Sequence, residues 1–202
     1  MLYHRGYSDY DAYVRHQGCK AVYKKSELLS ACPRRIAGFE GLFKIFAPLL
    51  NPGSVLCLGA RTGCEVMAFR NLGFTGSMGI DLHPIGNEDV VIKGDWHALT
   101  FGDGSFDNIY TNSIDHCLYL PKMISESKRV LVPGGILFLM AGERPDENVG
   151  KRVGKNNEAL LWDYAEDLLP EFEAGGFRLF EKWQGGKWRI FLMKSATMQE
   201  VI

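Results

Sequence analysis

Val55-Leu56-Cys57-Leu58-Gly59-Ala60-Arg61-Thr62-Gly63 decides how this chain is read. Four apolar residues running into a glycine suit a central strand covered on both faces, which has no polar side to present. After Gly63, the residues Cys64, Met67, Ala68 and Leu72 fall at helical spacing, and the run stops at Gly73, a favoured residue just past a helix end. Strand, glycine-bracketed turn and helix in succession predict a turn whose backbone N–H groups approach a ligand closely. On these residues alone an ordinary tight turn explains the pattern equally well.

Working downstream, Ser77-Met78-Gly79-Ile80 reads as the next strand, which closes a strand–helix–strand unit. Val90-Val91-Ile92, Phe106-Asp107-Asn108-Ile109-Tyr110 and Ile136-Leu137-Phe138-Leu139-Met140 are further strands. Between the last two, Pro121 to Val130 forms a helix with Leu120, Met123, Ile124 and Leu131 on one face. Alternation of this kind predicts an α/β domain with a Rossmann-like, doubly wound and mostly parallel sheet. The end differs: 177–183 and 187–193 are joined only by Gln184-Gly185-Gly186, a connection so short that it demands an antiparallel C-terminal hairpin.

Upstream, residues 1–50 read as N-terminal helices with apolar positions at Tyr10, Tyr13, Val14, Ala21 and Val22, a break at Cys32-Pro33, and a second helix from about Ile36 to Leu50. The expected division is a helical lid segment over 1–50 and a core over 51–202. Tyr3, Tyr7, Tyr10 and Tyr13 either offer aromatic faces to a ligand or pack into the core.

Composition limits the partners. The 202 residues carry 23 Lys/Arg against 24 Asp/Glu, with eight against four in residues 1–50, too mild an imbalance for a nucleic-acid footprint. A hydrophobic share of 46% is enough for a substantial core. No stretch reaches the roughly 18 apolar residues of a membrane span, and the opening residues lack a signal-peptide core, so a cytoplasmic site of action is expected. The cysteines, Cys19, Cys32, Cys57, Cys64 and Cys117, contain no C-x-x-C pair, which argues for reduced thiols and against a structural metal.

The ligand reading strengthens at Asp81, 18 residues after Gly63 at the end of the second strand, where a carboxylate can accept both hydroxyls of a ribose. Gly94-Asp95-Trp96 follows the third strand and sets a carboxylate and a flat ring where an adenine edge is read. A solvated aspartate beside a core tryptophan is the competing account. Gly102 to Gly104 and Pro133-Gly134-Gly135 are turns of the scaffold.

The stretches VLCLGARTG (55–63), GIDLHP (79–84), KGDWHALTFGDGSFDNIYTN (93–112) and RVLVPGGILFLM (129–140) resemble the successive motifs of class I S-adenosylmethionine-dependent methyltransferases, over about residues 51–142. The resemblance implies S-adenosyl-L-methionine as cofactor. It sets Gly59, Ala60, Arg61 and Gly63 against the methionine and ribose, Asp81 on the ribose hydroxyls and Asp95 with Trp96 at the adenine; Leu82 and Asn112 complete the set. Two positions depart from that pattern. Cys57 stands where the family usually has an acid, leaving the methionine ammonium to Glu65 or to a backbone carbonyl. Arg61 stands where a middle glycine is usual, either meeting the methionine carboxylate or lying outside the pocket. VLCLGAR and NSIDHC (112–117) further resemble methyltransferase modules of viral and microbial glycan-building enzymes, including the chlorovirus type. That likeness implies a sugar or glycan acceptor such as rhamnose, and a module of a larger glycosyltransferase polypeptide.

Methylating an alcohol requires removal of its proton. Asp115 and His116 follow the fourth strand at the carboxyl edge, where doubly wound sheets bind ligands. Histidine changes charge near neutral pH, which suits His116 to the base role, with Asp115 acting itself or orienting the imidazole. His16, His83 and His97 are weaker candidates, the last two facing solvent or capping loops. Glu143, Arg144 and Asp146, just after the fifth strand, either touch the acceptor or belong to a solvated loop. No metal is assigned. The competing functions are methylation of another small acceptor (a carboxylate or phenol), nicotinamide-dependent oxidation, which the terminal hairpin disfavours, and a non-catalytic cofactor-binding module.

Overall fold

The computed structural model describes residues 1–23, 25–86, 88–142 and 158–196. Its centre is a sheet built from β2 (Val55–Leu58), β3 (Met78–Asp81), β4 (Val91–Lys93), β5 (Phe106–Thr111), β6 (Leu131–Gly142), β8 (Phe177–Gly185) and β9 (Trp188–Ser195). A second, two-stranded sheet pairs β1 (Leu2–His4) antiparallel with β7 (Leu160–Trp162). In the main sheet the spatial order is β4-β3-β2-β5-β6-β9-β8. Strands β4 to β6 run parallel, while β9 is antiparallel to both β6 and β8. This is the mostly parallel α/β sheet with a C-terminal antiparallel hairpin that the sequence predicts.

Alternation along the strands fills both faces. Leu56, Leu58, Ile109, Leu137 and Leu139 pack on one side with Met123 and Ile124 of α5 (Leu120–Val130) and Phe172 of α6 (Leu169–Ala174). Val55, Cys57, Tyr110, Ile136 and Phe138 pack on the other against α3 (Cys32–Phe46) and α4 (Cys64–Asn71). There, Phe43 and Phe69 stack with ring centroids 4.0 Å apart, and Tyr110 meets Phe43 edge-on at 4.8 Å. Burying such a ring contributes roughly 1.5–3 kcal/mol, so this aromatic knot anchors the N-terminal helices to the sheet.

The expected second helix moves. The break expected at Cys32-Pro33 falls where one helix ends at Ser30 and α3 begins at Cys32, and Pro33 stands in the first turn of α3, where proline's missing N–H has no intrahelical partner to lose. The helix therefore starts at Cys32 and ends at Phe46, with Ala47–Leu49 as a short 3-10 turn. Residues 1–50 are mostly helical, as expected, but open on a strand. Strand β1 precedes α1 (Tyr10–Tyr23) and α2 (Lys25–Ser30), tying the start of the chain to residues 160–162. The final hairpin is tighter than expected, since Gly185 pairs with Trp188 and leaves Gly186 and Lys187 as the turn. No helix among the described residues is long and apolar enough to cross a membrane.

Candidate active site

Because β2, β3, β4 and β5 are parallel, the turns that follow them emerge at one edge of the sheet. A cleft opens there, and Gly59, Ala60, Arg61, Asp81, Leu82, Trp96, Asn112 and His116, of the residues singled out by sequence, line it. Gly63, Asp95 and Asp115 lie beside the cleft without lining it.

The glycine turn is held by its own donors. The amides of Gly59 and Ala60 both donate to the Ile80 carbonyl (2.9 and 3.1 Å), and that of Gly63 donates to Ala60 (2.7 Å). The Gly59 and Ala60 N–H groups, expected to approach a ligand, instead fix the turn against β3, and that of Gly63 closes the turn on itself. Gly59 has φ +73°, and a Cβ there would meet Ser113 Cβ at 2.8 Å and the Trp96 ring at 3.0 Å, so only glycine lets the three turns converge. Gly63, at the N-cap of α4, is forced by packing, because a Cβ would strike Val90 and Val91 at 2.7 and 2.9 Å.

Arg61 adopts φ +34°, the left-handed conformation that the usual glycine would take there without strain, at a cost of about 1–2 kcal/mol. Its amide donates to Asp81 Oδ2 at 3.0 Å, and its Nε lies 4.0 Å from the same oxygen. The His83 amide donates to Asp81 Oδ1 at 2.7 Å. Each carboxylate oxygen thus accepts one backbone bond and keeps a second lone pair for a hydroxyl. Asp81 is buried, with 8% of its surface exposed, at the cleft wall.

The third turn divides its roles differently from the sequence expectation. Asp95 Oδ1 accepts from the backbone amide of His97 (2.9 Å) and pairs with its Nδ1 (2.7 Å), while Oδ2 accepts the Tyr10 hydroxyl. Burial alone would push the Asp95 carboxyl upward, but the bonds from His97 and Tyr10 more than offset it and hold it below the usual range. Asp95 therefore binds α1 to the turn, whereas Trp96 lines the cleft. His97 does not face solvent: it is buried, and its Nε2 accepts from the Tyr119 amide at 3.2 Å. That contact puts the proton on Nδ1, toward Asp95. His83 Nε2 contacts the Val14 carbonyl of α1 at 3.0 Å, and His16 Nδ1 the Tyr7 hydroxyl at 2.8 Å.

The fourth turn is latched to the first. Thr111 Oγ1 donates to the Leu58 carbonyl (3.1 Å), and Ser113 Oγ contacts the Gly59 carbonyl (3.4 Å) and Asn112 Oδ1 (3.2 Å). A 3-10 turn, Ile114–His116, then buries Ile114 and turns the His116 side chain to the cleft. Asp115 Oδ1 lies 3.9 Å from His116 Nε2, too far for a direct hydrogen bond. Glu143, Arg144 and Asp146 fall outside the described residues.

Several lining residues were not singled out by sequence: Gln17 from α1, Leu28 from α2, and Arg35 from α3. Helical periodicity shows only that one face of α1 is apolar, not that it roofs the cleft. Of the four N-terminal tyrosines, Tyr13 alone lines the cleft; it is 1% exposed and donates to the His116 carbonyl at 3.0 Å. Glu65, second residue of α4, is buried at the cleft wall, and desolvation raises its carboxyl to about 7. Cys57 is fully buried, and burial keeps its thiol neutral, so β2 supplies no charge.

Two buried side-chain atoms among the described residues have no hydrogen-bond partner: Glu65 Oε2 and Trp96 Nε1. Both residues line the cleft, and orphaned buried polar atoms at a cavity wall indicate a polar ligand that completes them. With the Asp81 oxygens and the glycine-only approach at Gly59, the wall fits a nucleoside carrying a charged tail.

Residues 56–139 match the family described as a methyltransferase domain. A search of the curated proteins finds no match. Among solved structures, the chain is similar to the Burkholderia thailandensis 1,6-didemethyltoxoflavin-N1-methyltransferase, crystallised with S-adenosylhomocysteine (14% identity, TM-score 0.66, covering 96% of this chain and 100% of that one). It is similar also to a SAM-dependent methyltransferase of Thermotoga maritima described as a possible histamine N-methyltransferase (15%, TM-score 0.65, 90% and 100%). A third similar structure is the [4+2]-cyclase SpnF (18%, TM-score 0.64, 78% and 82%). At these identities the likeness establishes the Rossmann-like methyltransferase fold.

Proposed function

We propose that this chain, an S-adenosylmethionine-dependent methyltransferase, carries the cofactor's methyl group to a hydroxyl of a small polar acceptor, with His116 removing the hydroxyl proton. The observation that supports it is the presence of His116 in the wall of the cleft that also holds Gly59, Asp81 and Trp96. S-adenosylmethionine brings a methyl group on a sulfonium, already electrophilic; the protein's part is to position the acceptor and hold its proton. Asp81 suits the ribose, Trp96 the adenine ring, and Leu82 and Asn112 the neighbouring wall. Tyr13, Gln17, Asn112 and Ser113 line the cleft with neutral hydrogen-bonding groups, which match an acceptor rich in hydroxyls, a sugar such as rhamnose first among them. Asp115, at 3.9 Å, positions the imidazole electrostatically.

The test is methyl transfer from labelled cofactor to a panel of sugars, polyols, phenols and carboxylates. Transfer to hydroxyls is expected, with His116→Ala lowering turnover by about 10²–10⁴-fold at nearly unchanged cofactor affinity. Asp115→Asn should fall between that variant and wild type. Wild-type turnover by both variants removes the base, and transfer only to carboxylates replaces the hydroxyl acceptor with an anionic one, which needs no base.

A further inference from the structure

The cleft carries more charge on its inner wall than a nucleoside needs. Glu65, on α4, lines it and carries a buried carboxylate oxygen without a hydrogen-bond partner, and Arg35 lines the same cleft from α3, one helix away in the layer covering this face of the sheet. The Arg35 charge acts on Glu65 favourably, while Asp81, across the cleft on β3, acts on it unfavourably. Beneath Glu65 lie Cys57 of β2 and Tyr110 of β5, whose thiol and phenol burial keeps neutral. A buried carboxylate in such a place is destabilised unless a cation reaches it, and a guanidinium beside it is matched by an anion. A carboxylate and a guanidinium lining one cleft together complement a zwitterion.

We propose that Glu65 and Arg35 form the receptor for an α-amino acid group, the Glu65 carboxylate accepting the ammonium and the Arg35 guanidinium the carboxylate of the cofactor's methionine moiety. This assigns to a helix residue the acidic role that β2, with its neutral Cys57, does not fill. It rests on the cleft being the cofactor site and is independent of the acceptor and of His116.

The experiment is calorimetric binding of two ligands to the wild-type protein, Glu65→Gln and Arg35→Gln. S-adenosylhomocysteine carries the α-amino acid group; 5′-methylthioadenosine shares the nucleoside and thioether but lacks it. Wild type should prefer S-adenosylhomocysteine, and each substitution should weaken that ligand by about 10- to 100-fold while changing 5′-methylthioadenosine less than about 2-fold. The ammonium binds the ionised form of Glu65. Wild-type affinity for S-adenosylhomocysteine should therefore fall as pH drops below about 7, with proton release on binding at pH 6, read from the buffer dependence of the heat. Glu65→Gln should show neither. If a variant does not fold, the wild-type ratio of the two affinities across pH still decides, since it should narrow on acidification. Equal weakening of both ligands, or a pH-independent ratio, overturns the inference. Failure of wild type to bind either ligand overturns instead the reading of the cleft.

Discussion

Removing the Asp81 carboxylate should damage the protein twice, and the two losses are separable. In the folded chain its oxygens accept the amides of Arg61 and His83 at 3.0 and 2.7 Å. Bonds to a charged acceptor contribute about 1.5–3 kcal/mol each. Asp81→Ala leaves two donors without it, and water entering from the cleft restores part of the loss, so a net destabilisation of about 3 kcal/mol is expected. For a domain of this size that corresponds to a fall in Tm of about 6–12 °C. Asp81→Asn keeps one carbonyl acceptor and should lose about half as much. Separately, affinity for S-adenosylhomocysteine per folded molecule should drop by about 10- to 100-fold through the ribose hydroxyls. Melting curves read the first loss and calorimetry on the folded fraction the second. An unchanged Tm in Asp81→Ala would mean that the two amide bonds do not hold the turns in solution. A lowered Tm with wild-type affinity would remove Asp81 from the ribose site.

Trp96→Ala should weaken S-adenosylhomocysteine binding by roughly 1 kcal/mol or more through lost ring contact, and normal affinity with a collapsed Tm would assign Trp96 to the core alone. Arg61→Gly exchanges left-handed strain against glycine's greater chain entropy and should leave Tm within about 2 °C of wild type, whereas Arg61→Val should cost about 1–2 kcal/mol. A valine variant as stable as wild type would refute the left-handed turn. Glu65, raised from 4.5 to about 7, favours the apo fold fully below 4.5 and loses that contribution as pH rises through 7. The difference is about 3 kcal/mol. Denaturant titrations at pH 5 and pH 8 should therefore show wild type losing stability relative to Glu65→Gln, and parallel pH curves would contradict the burial of an ionisable carboxyl.

The sheet was legible because its strands are short apolar runs with turns between them, and period and punctuation are local properties. The carboxyl-edge turns were legible for the same reason, Asp81 falling at a strand end. What was misread depends on contacts distant in sequence. The second helix was read as Ile36 to Leu50 rather than Cys32 to Phe46 because its extent follows from the packing of Phe43 and Phe46 and not from a local signal. Strand β1 has no local signature in three residues; its partner is about 160 residues away. Asp95 read as an adenine contact because nothing in its neighbourhood announces Tyr10, a residue 85 positions upstream. Arg35 sits in a segment read only as a lid, and its place at the cleft follows from the packing of α3 on the sheet through Phe43 and Phe46. Glu65 was noticed only as a substitute for the acid missing at Cys57; its burial needed three dimensions.

The order of strands also bears on how the chain is made. Strand β9 sits between β6 and β8, and Ile190, Phe191, Leu192 and Met193 are all within 1% of full burial. During synthesis β6 is complete some 45 residues before β9 exists, and until then its open edge and the apolar residues Leu137, Phe138 and Leu139 have no neighbour on that side. A nascent chain stalled or cleaved before residue 188 would thus present a long unpaired hydrophobic edge, the feature by which unfinished sheets recruit other chains. The hairpin acts as a seal applied last, and the interval before it closes is when this protein most needs protection from aggregation.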